Sequence, residues 1–249
     1  MRSEWSDTLK IHVGGYGFQG LAAVEHMNSL VGKGEIILNG LAGYYAVIAE
    51  TLGENEGIGR LSEFVKRFFN TLRVMDGFAV STPIGLRHKL QKLRHCRIWS
   101  RQNHVFESNV RDFFLKGVSG NIDFSSEVFD LEERTVKLVS GMARGVAASC
   151  ISFPGLFPPY MGRYVTTTYL SQIPVSFISD GDTVLVNFRE PSSGRLKTAS
   201  DLLFQAMEIR SLNYAREMLS HSECRLVRVA KRVCSDNVLG FLEKLRKRF

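Results

Sequence analysis

Two short stretches combine residue types and spacings that can do chemistry. Gly14-Gly15-Tyr16-Gly17-Phe18-Gln19-Gly20 concentrates glycines directly after the apolar positions Ile11 and Val13. Gly15 to Gly20 has the G-x-G-x-x-G spacing with which a backbone turn approaches a dinucleotide pyrophosphate. The whole run from Gly14 can equally present backbone N–H groups to the oxyanion of an acyl-transfer reaction. The second stretch, Asn39-Gly40-Leu41-Ala42-Gly43, joins the apolar run Ile36-Ile37-Leu38 to a long apolar segment. Its glycines permit a sharp strand-to-helix turn. Further on, Asp180 and Asp182 flank Gly181 in an acidic turn.

The elements that must position these residues follow from hydrophobic periodicity. Ile11 and Val13, the glycines and then "LAAVEHMNSL" predict strand, turn and helix. "EIILNG" and "LAGYYAVIAETL" predict a second such unit, its helix apolar all round and so packed deep against a sheet. Two consecutive units imply parallel strands with right-handed crossovers. "IGRLSEFVKRFFNTL" has the pattern of an amphipathic helix, and "EVFDLEERTVKLVSG" that of a hairpin around "EER". "VSFISDGDTVLVN" is expected to form strand, acidic turn and strand, followed by a helix over about 199–219, a strand in "CRLVRVAKRV" and a closing helix around "NVLGFLEKLRKRF". No repeat, low-complexity tract or linker interrupts residues 1–249, so one domain is expected.

Composition bounds the partners. Of 249 residues, Lys and Arg number 32 against 25 Asp and Glu, a net charge of +7 that favours anionic partners without naming one. Arg87, Lys89, Lys92, Arg94, Arg97 and Arg101 alternate with Leu86, Leu90, Leu93, Ile98 and Trp99, a basic amphipathic segment able to lie on an anionic membrane. A solvated helix face has the same pattern. Nothing specifies nucleic acid. Cys96, Cys150, Cys224 and Cys234 lack C-x-x-C spacing and are expected to be reduced thiols, as in the cytoplasm. The opening residues are polar where a signal peptide needs an apolar core, and no run approaches a membrane span.

The dinucleotide reading requires an acid at the end of the second strand for the ribose. Glu35 opens that strand and Asn39 ends it. The ordered set of glycine run, elbow-like turn, Ala148-Ser149-Cys150-Ile151-Ser152-Phe153-Pro154-Gly155-Leu156-Phe157-Pro158-Pro159 and Asp180-Gly181 instead resembles the bacterial type of the patatin-like phospholipase family. The likeness extends over nearly the whole chain, residues of about 50–110 matching only in general character. It implies an α/β fold of three layers, αβα, around a mainly parallel sheet.

The resemblance also implies a set of roles. Gly14, Gly15 and Gly17 would form the oxyanion hole, with Tyr16 where the family has glycine and Gln19 where it has arginine. Asp180 would be the acid of a serine–aspartate dyad, with Asp182 at the third position of its turn. Leu41 stands at the position of the serine, and an alkyl side chain cannot attack an ester. Tyr44, Tyr45, Ser149, Cys150 and Ser152 lie near in the pattern but not at the position the elbow aims. The expectation is a patatin-like protein without serine hydrolase activity that binds a lipid or acyl chain, a membrane surface or a protein. A lipid acyl hydrolase with an unconventional nucleophile is the enzyme alternative, and dinucleotide binding through Gly15–Gly20 is the third. No cofactor and no metal is assigned, and the expected location is cytoplasmic with peripheral membrane contact.

Overall fold

The computed structural model describes residues 9–15, 17–23, 26, 33–76, 108–188, 199–229, 233 and 237–247. Strand β1 (Lys10–Val13) leads through the glycine run into a 3₁₀ segment, Gly17–Ala23, followed by β2 (Glu35–Leu38) and helix α1 (Gly40–Leu52). Then come α2 (Glu54–Asp76), α3 (Ser108–Phe114), the strands β3 (Asn121–Asp130) and β4 (Thr135–Met142), and α4 (Ala143–Ile151). The chain closes with β5 (Tyr164–Thr166), a short 3₁₀ turn (Thr167–Tyr169), β6 (Thr183–Val186), α5 (Ala199–Ser220), β7 (Arg225–Arg228) and α6 (Val238–Arg246).

The strands form one seven-stranded mixed sheet in the order β4-β3-β2-β1-β6-β7, with β5 also pairing β3. β1 pairs β2 and β6 in parallel, β2 pairs β3 and β6 pairs β7 in parallel, and β4 and β5 run antiparallel to β3. The fold is therefore α/β, with a mostly parallel sheet.

Alternation along the strands assigns the two faces. Leu185 joins the large core made by α1, α2, α4 and α6, whereas Val184 and Val186 point the other way, into a smaller cluster with Met218 and Leu219 of α5. Ile11 and Val13 face the large core and His12 does not. That core runs from Ile11 to Leu245 and includes every residue of α1 from Leu41 to Ile48 except Gly43. Gly40 to Ile48 are all buried, as the unbroken apolar pattern of this segment implies.

The hairpin forms where its pattern predicts, turning at Leu131–Arg134. Asp130 ends β3 and accepts hydrogen bonds from the Glu132 and Glu133 N–H groups, Arg163 and Lys137. These contacts hold its carboxyl well below the usual carboxylate range and tie the turn to the segment returning toward β5. Leu61, Phe64 and Val65 of α2 are buried as its periodicity requires.

Two element expectations are corrected. Residues 176–179 are turn and loop rather than a strand, because the Asp182 carboxylate takes the Ser179 N–H at 2.8 Å and closes a turn there. The segment after the glycines begins as a 3₁₀ turn at Gly17–Ala23 rather than as an α-helix at Leu21.

Candidate functional site

The parallel pairing brings the two glycine-containing turns together. Val13 faces Leu38 across the β1–β2 ladder, so Gly14 and Asn39 leave the sheet side by side at the carboxyl ends of their strands. This edge is where open α/β sheets place their ligands. The glycines here are explained by close approach. A Cβ on Gly14 would stand 2.1 Å from Asn39 Oδ1 and 2.8 Å from Pro174 Cδ. One on Gly15 would stand 2.4 Å from the backbone of Gly20. Gly17 lies in the 3₁₀ segment, and Tyr16 lies outside the described residues. Gln19, at the position where the family resemblance sets arginine, is buried with Nε2 unpartnered, and its carbonyl accepts from Asn187 Nδ2 at 2.9 Å.

The elbow-like turn has its left-handed residue one position before the one the resemblance points to. Gly40 has φ +61°, whereas Leu41 is an ordinary first-turn helical residue, 2% exposed and inside the core. Glycine adopts that conformation without the strain another residue would carry. The turn is therefore relaxed, and no side chain projects from its apex.

A Cβ on Gly40 would meet Thr168 Oγ1 at 3.0 Å. The Gly40 N–H donates to Thr166 Oγ1 at 3.3 Å, and the hydroxyls of Thr166 and Thr168 are 2.8 Å apart. Asn39 precedes α1 without a side-chain capping bond, so Thr166 supplies from another element the acceptor that the helix start needs. Asn39 Nδ2 reaches Thr167 Oγ1 at 3.5 Å, and Thr167 in turn donates to the Glu127 carbonyl at 3.2 Å.

Asp180 is not part of this edge. β6 runs parallel to β1 and β2, and residues 180–182 precede it, whereas Gly14 and Asn39 follow β1 and β2. The length of a four-residue strand, roughly 13 Å, separates the two edges. Asp180 is exposed and accepts the Glu223 N–H at 2.9 Å, while Gly181 donates to the Glu223 carbonyl. Asp182 is buried, taking the N–H groups of Lys10 and Ser179 and lying 3.1 Å from His12 Nε2. His12 Nδ1 is 2.6 Å from the Pro174 carbonyl, and burial lowers the His12 pKa against the opposing pull of Asp182. The acidic turn thus joins β1, β6 and the start of β7, and the role of an acid beside the elbow is not met there.

Of the other nucleophile types near the turn, all but Tyr45 are occupied. Tyr44 donates to the Phe114 carbonyl, Ser149 to that of Val146 and Ser152 to that of Ala148. Cys150 donates to Ser126 Oγ, and burial pushes its thiol up to about 12. Tyr45 is 3% exposed, with its hydroxyl unpartnered. Among the described residues no cluster of His, Cys, Asp and Glu is arranged to hold a metal ion, and no helix is long and apolar enough to cross a membrane. Arg87, Lys89, Lys92, Arg94, Arg97 and Arg101 lie outside the described residues.

No protein-family model matches the chain, and no curated protein matches it.

Two features of this edge escape a reading by motif. In the chain Thr166-Thr167-Thr168 is only a run of three hydroxyls that begins at the end of a short strand. Glu127 carries a fainter signal, a lone acid between Ser126 and Val128 in a strand pattern. It is fully buried, accepts the Ser176 N–H at 2.9 Å through Oε2 and leaves Oε1 unpartnered; burial pushes its carboxyl up to about 7.

Proposed function

We propose that this is a patatin-like protein that does not hydrolyse esters by a serine route and acts instead by binding, with a lipid acyl chain or anionic membrane surface as its partner. The observation that carries the first half is the turn apex. Gly40 offers no nucleophile, and the groups facing it are threonine hydroxyls already bonded to one another and to the Gly40 N–H. Covalent acyl transfer needs an activated nucleophile beside a base, and the apex presents no nucleophile to activate. The glycine turns after two parallel strands support the resemblance, and the basic segment from Arg87 to Arg101 supports an anionic partner.

Hydrolysis of p-nitrophenyl butyrate and longer acyl esters tests the first half. The wild type, Gly40→Ser and Leu41→Ser are expected to release p-nitrophenol no faster than buffer. Wild-type turnover that disappears in Asp180→Ala would overturn the reading. Co-sedimentation with phosphatidylcholine vesicles, with and without phosphatidylglycerol, tests the second half. Binding is expected only with the anionic lipid, weakening with salt, and a protein that stays in the supernatant in every case refutes the lipid partner.

A further inference from the structure

Away from the turn, a cavity of about 130 Å³ opens between α3, the start of α4 and Tyr160. Arg111, Arg144, Asp112 and Tyr160 give it polar walls, and the exposed side chain of Met142 an apolar one. Arg144 is held in place, donating to the Leu115 carbonyl and to Asp112 Oδ1, both at 2.9 Å. Arg111 is different. It is half-buried, with its guanidinium 6.0 Å from the Tyr160 ring centre, and donates through Nη1 to the Pro158 carbonyl at 2.8 Å. Among the described residues no carboxylate pairs with it. Burial disfavours its charge and lowers its pKa.

A guanidinium carries five N–H donors in a planar fork that matches two oxygens of one anion. Arg111 spends one donor on Pro158 and keeps the rest for the cavity it lines. Two arginines and one aspartate leave the lining with a single excess positive charge, which suits a monoanion and disfavours a phosphate dianion beside Asp112. The volume equals that of about four waters, and the apolar walls reward a short alkyl group over a bare ion.

We propose that this cavity is a binding site for a small monocarboxylate, its oxygens on Arg111 with Arg144 at the rim and its alkyl carbons against Met142 and the Tyr160 ring. The site is separate from the turn at Gly40. α4 begins at the cavity and ends beside the turn, where the Ser152 carbonyl accepts the Thr166 N–H at 3.1 Å.

Calorimetric titration of the intact protein with acetate, butyrate and inorganic phosphate at low salt tests the proposal. Butyrate is expected to bind more tightly than acetate, and both more tightly than phosphate. Arg111→Met, which keeps the aliphatic stem, is expected to weaken butyrate by about ten-fold or more in a variant that still unfolds cooperatively. No heat from any of the three, phosphate binding tighter than butyrate, or equal butyrate binding by a folded Arg111→Met would overturn it. Should that variant fail to fold, the wild-type Arg111 Nε–H resonance serves instead. It is expected to shift on addition of butyrate, and an unmoved resonance counts against the site.

Discussion

Gly40 and Leu41 divide between them what an active elbow unites in one residue. The first has the left-handed backbone and no side chain; the second has a side chain that lies in the core. Leu41→Ser should therefore create a cavity and bury a hydroxyl, costing about 2–5 kcal/mol of stability without creating a site for ester attack. Glu127 allows a sharper test at the same scale. Its folded pKa of about 7 lies above the ordinary value of 4.5, so between these the folded chain holds a proton that the unfolded chain releases. Stability linked to Glu127 is thus full below pH 4.5, falls as pH rises toward 7 and is flat above, a change of about 3 kcal/mol. His12, lowered by burial, acts in the opposite sense and loses stability as pH falls below its ordinary 6.5. Comparison of wild type with Glu127→Gln by urea denaturation at pH 5 and pH 8 separates the two. Glu127→Gln is expected to gain relative to wild type at pH 8, and parallel profiles would show that this carboxyl does not carry the dependence.

Among the elements, the packing of α1 on α4 decides how the turn is held. Gly43 looks in sequence like the closing glycine of an elbow, yet its absent side chain serves this contact. A Cβ there would lie 2.6 Å from Cys150 Sγ and 2.8 Å from Leu38 Cβ. Gly43→Ala should force α1 away from α4 and β2 and destabilise the fold by about 1–3 kcal/mol. A thermal melt reads this directly, and an unchanged melting temperature would mean that the helices separate without cost. Cys150→Ala combined with Gly43→Ala removes the sulfur from the closest contact and should recover part of the loss. This element pair was partly legible in the chain, since the apolar segment after Gly40 announces a buried helix, but the identity of its neighbour was not. The fit depends on a cysteine more than a hundred positions away.

At the scale of the whole molecule the sheet order sets the hierarchy of stability. β1 and β2 lie between paired neighbours at the centre, while β4 and β7 are edges, and β7 is largely exposed with arginine at both ends. Amides of β1 and β2 should exchange with solvent last and those of β7 among the first of the strands, and exchange in the reverse order would contradict the sheet. Charged residues on such an edge also oppose pairing with another sheet.

Local pattern sufficed to determine the strands β1 and β2, the helix after β2, the hairpin, and the helices over 199–220 and 238–246, because side-chain periodicity and turn chemistry act within a few residues. It also showed glycine and leucine, with no nucleophile, at the turn that follows β2. The tertiary structure decided the rest. Asp180 and Gly181 form a plausible acidic turn in the chain, but strand direction puts them at the amino end of β6 and gives the carboxyl edge to Thr166, Thr168 and Glu127. Sequence spacing cannot rank those alternatives, since which end of a strand meets which turn depends on how the whole sheet is threaded.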